Sequence, residues 1–398
     1  MSYLQETQDA GREIFPDLAR AWALIGIALV NVAYFAYPFA GALYADGGMN
    51  TSVDFAAYFG VNALFLSKSY TLFSFMFGVG FAYQMASAER AGAGFAGRYW
   101  RRIIGLFFFA AINITLFFQG DILFIYALLG IFLFLFRKTS TKGLIRWAIG
   151  LYTVQVIVVL FSAFGITMGQ AFAPEEMVQA QTEMTEASAA YVEAFRNGGF
   201  IDTIHARIGE WAGAIFYILP GQGFGAMAFF LFGLAAVRND LISNPAAPFW
   251  SKCRRIYLPI GLLISAIGAW YATKGTSMFD PQMMWGNLLI VIGSPFATAG
   301  YLGILAKWSL STDGPIKTFF ARGGTASLTA YLLQGLLFTL IFYEYGLGLY
   351  AEIDAAACIS IALIVALLSI AFTSLWRAKF KRGPLEAILR GWTYIGTR

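Results

Sequence analysis

Apolar stretches separated by short polar ones run the length of this chain. They predict membrane-spanning helices over residues 20–38, 70–87, 103–118, 122–136, 145–168, 213–237, 256–273, 284–306, 325–343 and 356–376, since a helix crossing the hydrocarbon core needs ~20 mostly apolar residues. The fold class is therefore all-α, a polytopic helical bundle of about ten transmembrane helices. Residues 20–38 read as an uncleaved first span rather than a secretory leader. Residues 54–66 (DFAAYFGVNALFL) are also apolar. If they crossed, every later loop would change sides, so they read as an interfacial or re-entrant helix on the outer face.

Between the fifth and sixth spans, Met177, Ala180, Met184, Ala187, Tyr191 and Ala194 recur at helical spacing, with Glu175, Glu176, Glu183, Glu186 and Glu193 off the stripe. That is an amphipathic helix, packed on the bundle, lying on the membrane or capping a cavity. The chain thus divides into spans one to five (1–168), an outer-face segment (169–212) and spans six to ten (213–398). Gln119-Gly120-Asp121 leaves room only for a tight hairpin between two spans. Pro220-Gly221-Gln222-Gly223 interrupts the sixth. Irregular backbone at membrane depth survives where protein or a water-filled cavity satisfies it, so this break either lines a site or marks a helix beginning at Gln222. No internal repeat is visible, which weakens an inverted-repeat transporter reading.

Charge adds direction. Of the 27 Lys and Arg residues, 23 fall in 1–20, 88–102, 137–146, 238–255, 307–322 and 377–398, leaving Lys68, Arg196, Arg207 and Lys274 for the other face. Short basic loops stay in the cytoplasm, so both termini are expected inside and the protein is expected in the inner (plasma) membrane. Composition agrees: 59% of residues are hydrophobic, 12% are charged, and mean hydropathy is +0.66, whereas soluble domains carry about 25% charged residues. The net charge of +5 speaks for topology and anionic lipid, not for nucleic acid. With two cysteines and one histidine, no metal-ligand spacing exists.

Polar groups within the bilayer are functional candidates by default. Asp17 and Arg20, at i and i+3, share a helix face and either orient the first helix or form an anion-binding corner. Asn31 lies deep in the first span and Asn113 in the third. Asp121 is a hairpin N-cap or a general base. His205 is the only histidine, and so either a candidate base or an incidental loop residue. Gln155, Gln222, Asn287, Thr329 and Gln334 are further intramembrane polar residues. No Walker loop, Rossmann fingerprint or nucleophile elbow is present.

Several segments together carry a resemblance. They are Asp17-x-x-Arg20 running into Gly26 and Asn31; Leu72 to Phe81; Arg101-Arg102; Gly120 to Tyr126; Ser327 to Gln334; and Arg382-Gly383-Pro384-Leu385-Glu386. In this order, from about residue 12 to 394, the chain resembles the YeiB-like membrane proteins, a family labelled as a domain of unknown function. It is similar, more distantly, to transmembrane acyltransferases typified by heparan-alpha-glucosaminide N-acetyltransferase. That likeness implies an acyl group taken from cytoplasmic acyl-CoA and delivered to an outer-face glycan, lipid or small-molecule acceptor. It casts Asp121, His205, Asn113 and Asn31 as catalytic and Arg20, Asp17, Arg101, Arg102, Gln334 and Tyr331 as substrate-binding. Basic inner loops (Arg98, Arg101, Arg102, Arg254, Arg255) would hold the donor's phosphates. One departure stands out: the family pattern has His eight residues before the Gly-Asp aspartate, and here that residue is Asn113. Two alternatives stay open, a small-solute permease and a non-catalytic subunit with a membrane-protein partner or a second copy.

Overall fold

The structure, a computed structural model, describes residues 13–38, 49–92, 94–275 and 277–396; Arg12 and Arg398, counted above among the basic loops, lie outside them. Every regular element among the described residues is helical. In chain order these are α1 (Phe15–Ala36), α2 (Ser52–Leu64), α3 (Lys68–Arg90), α4 (Phe95–Leu116), α5 (Ile122–Leu133), α6 (Thr141–Phe172), α7 (Pro174–Asn197) and α8 (Phe200–Ile218). There follow α9 (Phe224–Arg238), α10 (Pro248–Lys252), α11 (Leu258–Ala272), α12 (Pro281–Ser309), α13 (Pro315–Gly324), α14 (Ser327–Phe342), α15 (Ala355–Lys379) and α16 (Pro384–Thr393).

Eight helical runs among the described residues are long and apolar enough to cross a membrane, or nine if α13 and α14, bent by 86°, count as one. Of the ten expected spans, 122–136 is the one that falls short. Its α-helix has 12 residues and ends in a 3-10 turn, Phe134–Lys138. The re-entrant reading of 54–66 gives way to something simpler. α2 leads on into α3 as one 39-residue apolar run, broken only at Phe65–Ser67, where Ser67 has φ 65°. The sixth expected span also begins earlier, at Phe200, and α8 passes into α9 through a π-turn at Leu219–Gly223. Pro220 removes a backbone donor and the wide turn frees others. Gln155 of α6 answers both sides of the break: its amide donates to Gly221 O, and its carbonyl accepts from Gly225 N at 3.1 Å. The amphipathic α7 follows its expected stripe except at Ala187, which is exposed; Met177, Ala180, Met184, Tyr191 and Ala194 are half-buried and the five glutamates exposed.

α1 and α12 form the middle of the bundle, with 67% of their apolar windows buried, against 22% for α6, which faces the lipid. Since lipid is as apolar as leucine, close packing and interhelical hydrogen bonds hold such helices together. At the α3–α9 crossing a Cβ on Gly78 would lie 2.0 Å from Phe230 O, and one on Gly233 would lie 2.1 Å from Phe75 O, so only glycine permits that approach. Thr71 and Thr298 pair their hydroxyls at 2.8 Å between α3 and α12, and Tyr152 of α6 donates to Val291 O at 2.7 Å.

Candidate functional site

The elbow between α13 and α14 fixes the site. Gly324 lies so close to α1 that a Cβ there would sit 1.9 Å from Asp17 O. The four exposed N–H groups at the start of α14 need acceptors. Glu386 of α16 answers two of them: its carboxylate accepts from Leu328 N (2.7 Å) and Thr329 N (3.1 Å), and also from the Thr329 hydroxyl (2.6 Å). Arg377 of α15 donates to the Thr325 hydroxyl at 2.7 Å. α16 in turn packs on α4, where Leu389 and Trp392 close over Gly105.

Between these pieces opens a vestibule of about 870 Å³ lined by eight cations, Arg98, Arg102, Arg322, Arg377, Lys379, Lys381, Arg382 and Arg390, and by a single carboxylate, Glu386. Tyr394 stands between Arg98 and Arg390, whose guanidinium carbons lie 4.8 and 4.2 Å from its ring centre. The Nε atoms of Arg98 and Arg102 are buried without a hydrogen-bond partner. Guanidinium groups in this number and with spare donors suit a polyanion such as a chain of phosphates.

From the vestibule a slot of about 140 Å³ leads inward. It shares Gln84, Arg102 and Glu386 with the vestibule. Its walls are otherwise mostly apolar, including Phe73, Met76, Phe77, Leu106 and Leu389, and Arg20 and Tyr331 also border it. Tyr331 borders a third, very small void of about 10 Å³ with Asn31, Asn113 and Gln334, roughly the room for one water. Asn31 and Phe118 border that void and a fourth cavity of about 110 Å³, whose lining (Tyr34, Ser67, Tyr70 and Gln222 among it) carries no charge. Four cavities therefore stand in file, each sharing a wall with the next.

The polar cluster between them is built by the hairpin. α4 ends where Phe117 and Phe118 N–H both turn back to Asn113 O, and Asp121 then caps α5 by accepting from Phe124 N at 2.7 Å. Its other oxygen accepts from Asn113 Nδ2 at 2.7 Å and from the Tyr331 hydroxyl at 3.3 Å. The expected capping role of Asp121 is thus present. Burial pushes the Asp121 carboxyl up to about 6, against the pull of these hydrogen bonds. Asp121 itself borders none of the four cavities; Tyr331 and Asn113, which it holds, do.

The remaining candidates divide. Asp17 and Arg20 pair as expected, at 3.0 Å, and Arg20 borders the slot. Gln334 donates to Leu24 O and to the Ser369 hydroxyl and borders the small void. Arg101 and Arg102 part company, since adjacent helix residues point about 100° apart. Arg102 borders both vestibule and slot, whereas Arg101 reaches Gly97 O and Ile395 O and borders neither. His205 is exposed on α8 and borders none of the four cavities. Arg254 and Arg255 are likewise outside the vestibule. Sequence reasoning passed over Glu386 as a cap and passed over Arg322, Arg377, Arg382 and Arg390 as vestibule walls. The signal was there, in the basic Arg377–Arg390 stretch with one glutamate inside it, but nothing local ties it to α4.

Comparison with known proteins places this arrangement. The family described as "Protein of unknown function (DUF418)" matches residues 236–396, a stretch that contributes Tyr331, Arg377 and Glu386. The uncharacterized protein YxaH of Bacillus subtilis (strain 168) is 31% identical over 413 residues, covering 99% of this chain and 97% of the relative. The uncharacterized protein YeiB of Escherichia coli (strain K12) is 26% identical over 393 residues, covering 95% of each. No solved structure matches the chain. With likeness running over nearly the whole chain, it belongs to the YeiB-like membrane-protein family that bears the DUF418 description.

Proposed function

We propose that this protein is a membrane-embedded acyltransferase that takes an acyl group from cytoplasmic acyl-CoA and passes it to a hydroxyl or amine entering from the opposite face. The observation that carries the reading is the file of four cavities, basic and wide at one end, uncharged at the other, with the Asp121–Asn113–Tyr331 cluster against the small void between them. In this reading the vestibule, built on basic segments, faces the cytoplasm, where its cations hold the donor's phosphates and the slot admits the thioester arm. The acceptor oxygen or nitrogen attacks the thioester carbonyl, the carbon–sulfur bond breaks, and coenzyme A leaves as the thiol. The acceptor proton passes through the Tyr331 hydroxyl to Asp121 and is returned to the leaving sulfur. Asn31 and Asn113 donate to the carbonyl oxygen as charge develops on it. In this scheme Asp121 acts through Tyr331, and His205 has no part.

The test is donor binding to the purified protein, read as a rise in melting midpoint with acetyl-CoA and longer acyl-CoAs against free CoA, since a ligand that binds only the folded state raises its stability. Arg102→Ala should abolish the rise and Arg101→Ala should leave it. No rise with any chain length, or equal loss in both variants, overturns the proposal. The same file of cavities favours a solute permease as the second reading, which solute flux in proteoliposomes without acyl donor would support.

A further inference from the structure

A second polar centre lies outside the four cavities, at the far end of α4 from the vestibule. Arg207 of α8 is fully buried. Its Nε donates to Thr115 O at 3.1 Å, on the last turn of α4, and its guanidinium lies 5.6 Å from the ring centre of Tyr343 on the other side. Neither Nη atom makes a well-formed hydrogen bond, and the Tyr343 hydroxyl lies beside the guanidinium as its polar neighbour. Glu210, one turn along the same helix face, closes no ion pair with it and lies instead beside Gln119. The buried hydroxyls of Tyr343 and Tyr345 and one carboxylate or amide oxygen each of Glu210 and Gln119 are also unpartnered. Six buried polar atoms without well-formed partners, the two Nη atoms among them, thus lie in this region of the fold.

A buried charge without a counter-charge is strongly unfavourable, and buried polar groups are as a rule hydrogen-bonded. A planar guanidinium pinned through Nε, with its two Nη atoms left free, is the fork that meets a carboxylate or phosphate with two parallel bonds. We propose that Arg207 is an oxyanion-binding site, with the Tyr343 and Tyr345 hydroxyls as further donors. The site flanks the hairpin: Thr115 is two residues after Asn113, and Gln119 is two before Asp121. If the acyl-transfer reading holds, and this step alone rests on it, the oxyanion is an acidic group on the acceptor.

The experiment needs no acyl donor. The full chain in maltoside detergent, exchanged into chloride, is melted with sodium acetate or inorganic phosphate against sodium chloride at equal ionic strength. A saturable rise with one oxyanion is expected, abolished in Arg207→Gln and weakened at least several-fold in Tyr345→Phe, which leaves the contact to Thr115 untouched. A carboxylate-bearing ligand raises the midpoint with acetate and a phosphate-bearing one with phosphate. No saturable rise with either, or the same rise in Arg207→Gln, overturns the site and leaves Arg207 as a water-solvated cap of α4. If Arg207→Gln does not fold, Arg207→Lys and Tyr345→Phe decide, and undiminished binding in both overturns the proposal. Oxyanion binding in a protein that shows no acyl-CoA binding would sink the acyl-transfer reading and leave this one standing.

Discussion

The two ends of the cavity file differ in size and in charge. The vestibule is wide, open and charged, with eight cations against one carboxylate. Such an end attracts a polyanion at long range and holds it through many weak, salt-sensitive contacts. The far cavity is about one-eighth of that volume and is lined by amides, hydroxyls and apolar side chains without a charge. A cavity of that kind discriminates by shape and by a few hydrogen bonds, since an ill-fitting ligand leaves buried polar groups unpaired. Tyr331 and Asn113 stand where the two regimes meet, so a substitution there should harm turnover without touching capture at either end.

The largest effect expected is that of Asp121→Asn. Transfer should fall by at least ~10³-fold, the upper range for losing a general base, while the acyl-CoA-induced rise in melting midpoint persists. Turnover near that of the unaltered protein would take Asp121 out of the chemistry. Gly324→Leu comes next and strikes the fold: the added side chain meets the α1 backbone at Asp17, and overpacking of this kind costs about 1–3 kcal/mol or more. A melting midpoint within a degree of the unaltered protein would mean that the elbow is looser than it looks. Tyr331→Phe removes one hydroxyl and keeps the ring, and should cut transfer by ~10- to 100-fold with donor binding intact. Equal loss of donor binding would make it a slot wall and nothing more.

The pH dependence sharpens the same comparison. The Asp121 carboxyl titrates at about 6 in the folded chain instead of 3.8, so the folded state holds that proton more tightly than the unfolded state does. Its contribution to stability is therefore favourable at low pH. It declines as pH rises from about 4 to about 6, and the ionised carboxylate then costs up to about 3 kcal/mol relative to an unshifted one. Stability profiles of the protein and of Asp121→Asn should diverge across that window and run parallel above it, while transfer should fall as pH drops through about 6. Coincident profiles would show that Asp121 is not desolvated. The smallest effect is that of His205→Ala: an exposed side chain away from the cavities should change turnover less than about twofold and stability by no more than about 0.5 kcal/mol.

Much of this could be read from the chain before folding. The apolar periods locate the helices, and the spacing of Asn113 and Asp121 around Gln119-Gly120 announces a hairpin that brings the two side chains to 2.7 Å. What stayed hidden depends on distant partners. From sequence the break at Pro220 to Gly223 reads equally as the lining of a site or as a helix beginning at Gln222, until Gln155, from another helix, is seen to satisfy it. Arg101 and Arg102 look like a matched pair because sequence adjacency hides the turn of the helix between them. The vestibule is assembled from α4, the α13–α14 elbow, α15 and α16, and no local pattern reports that those four meet.

α16 gives this architecture an order in time. Arg20 is among the earliest of the described residues to leave the ribosome and Glu386 among the last, yet both border the slot. Chains insert and fold from the N-terminal side as they are made, so a partly synthesised chain carries its hairpin cluster beneath an unroofed slot and an uncapped α14. The vestibule and slot close only when the helix bearing Glu386 docks on α4. A nascent chain thereby lacks a complete basic vestibule until the rest of the bundle is in place.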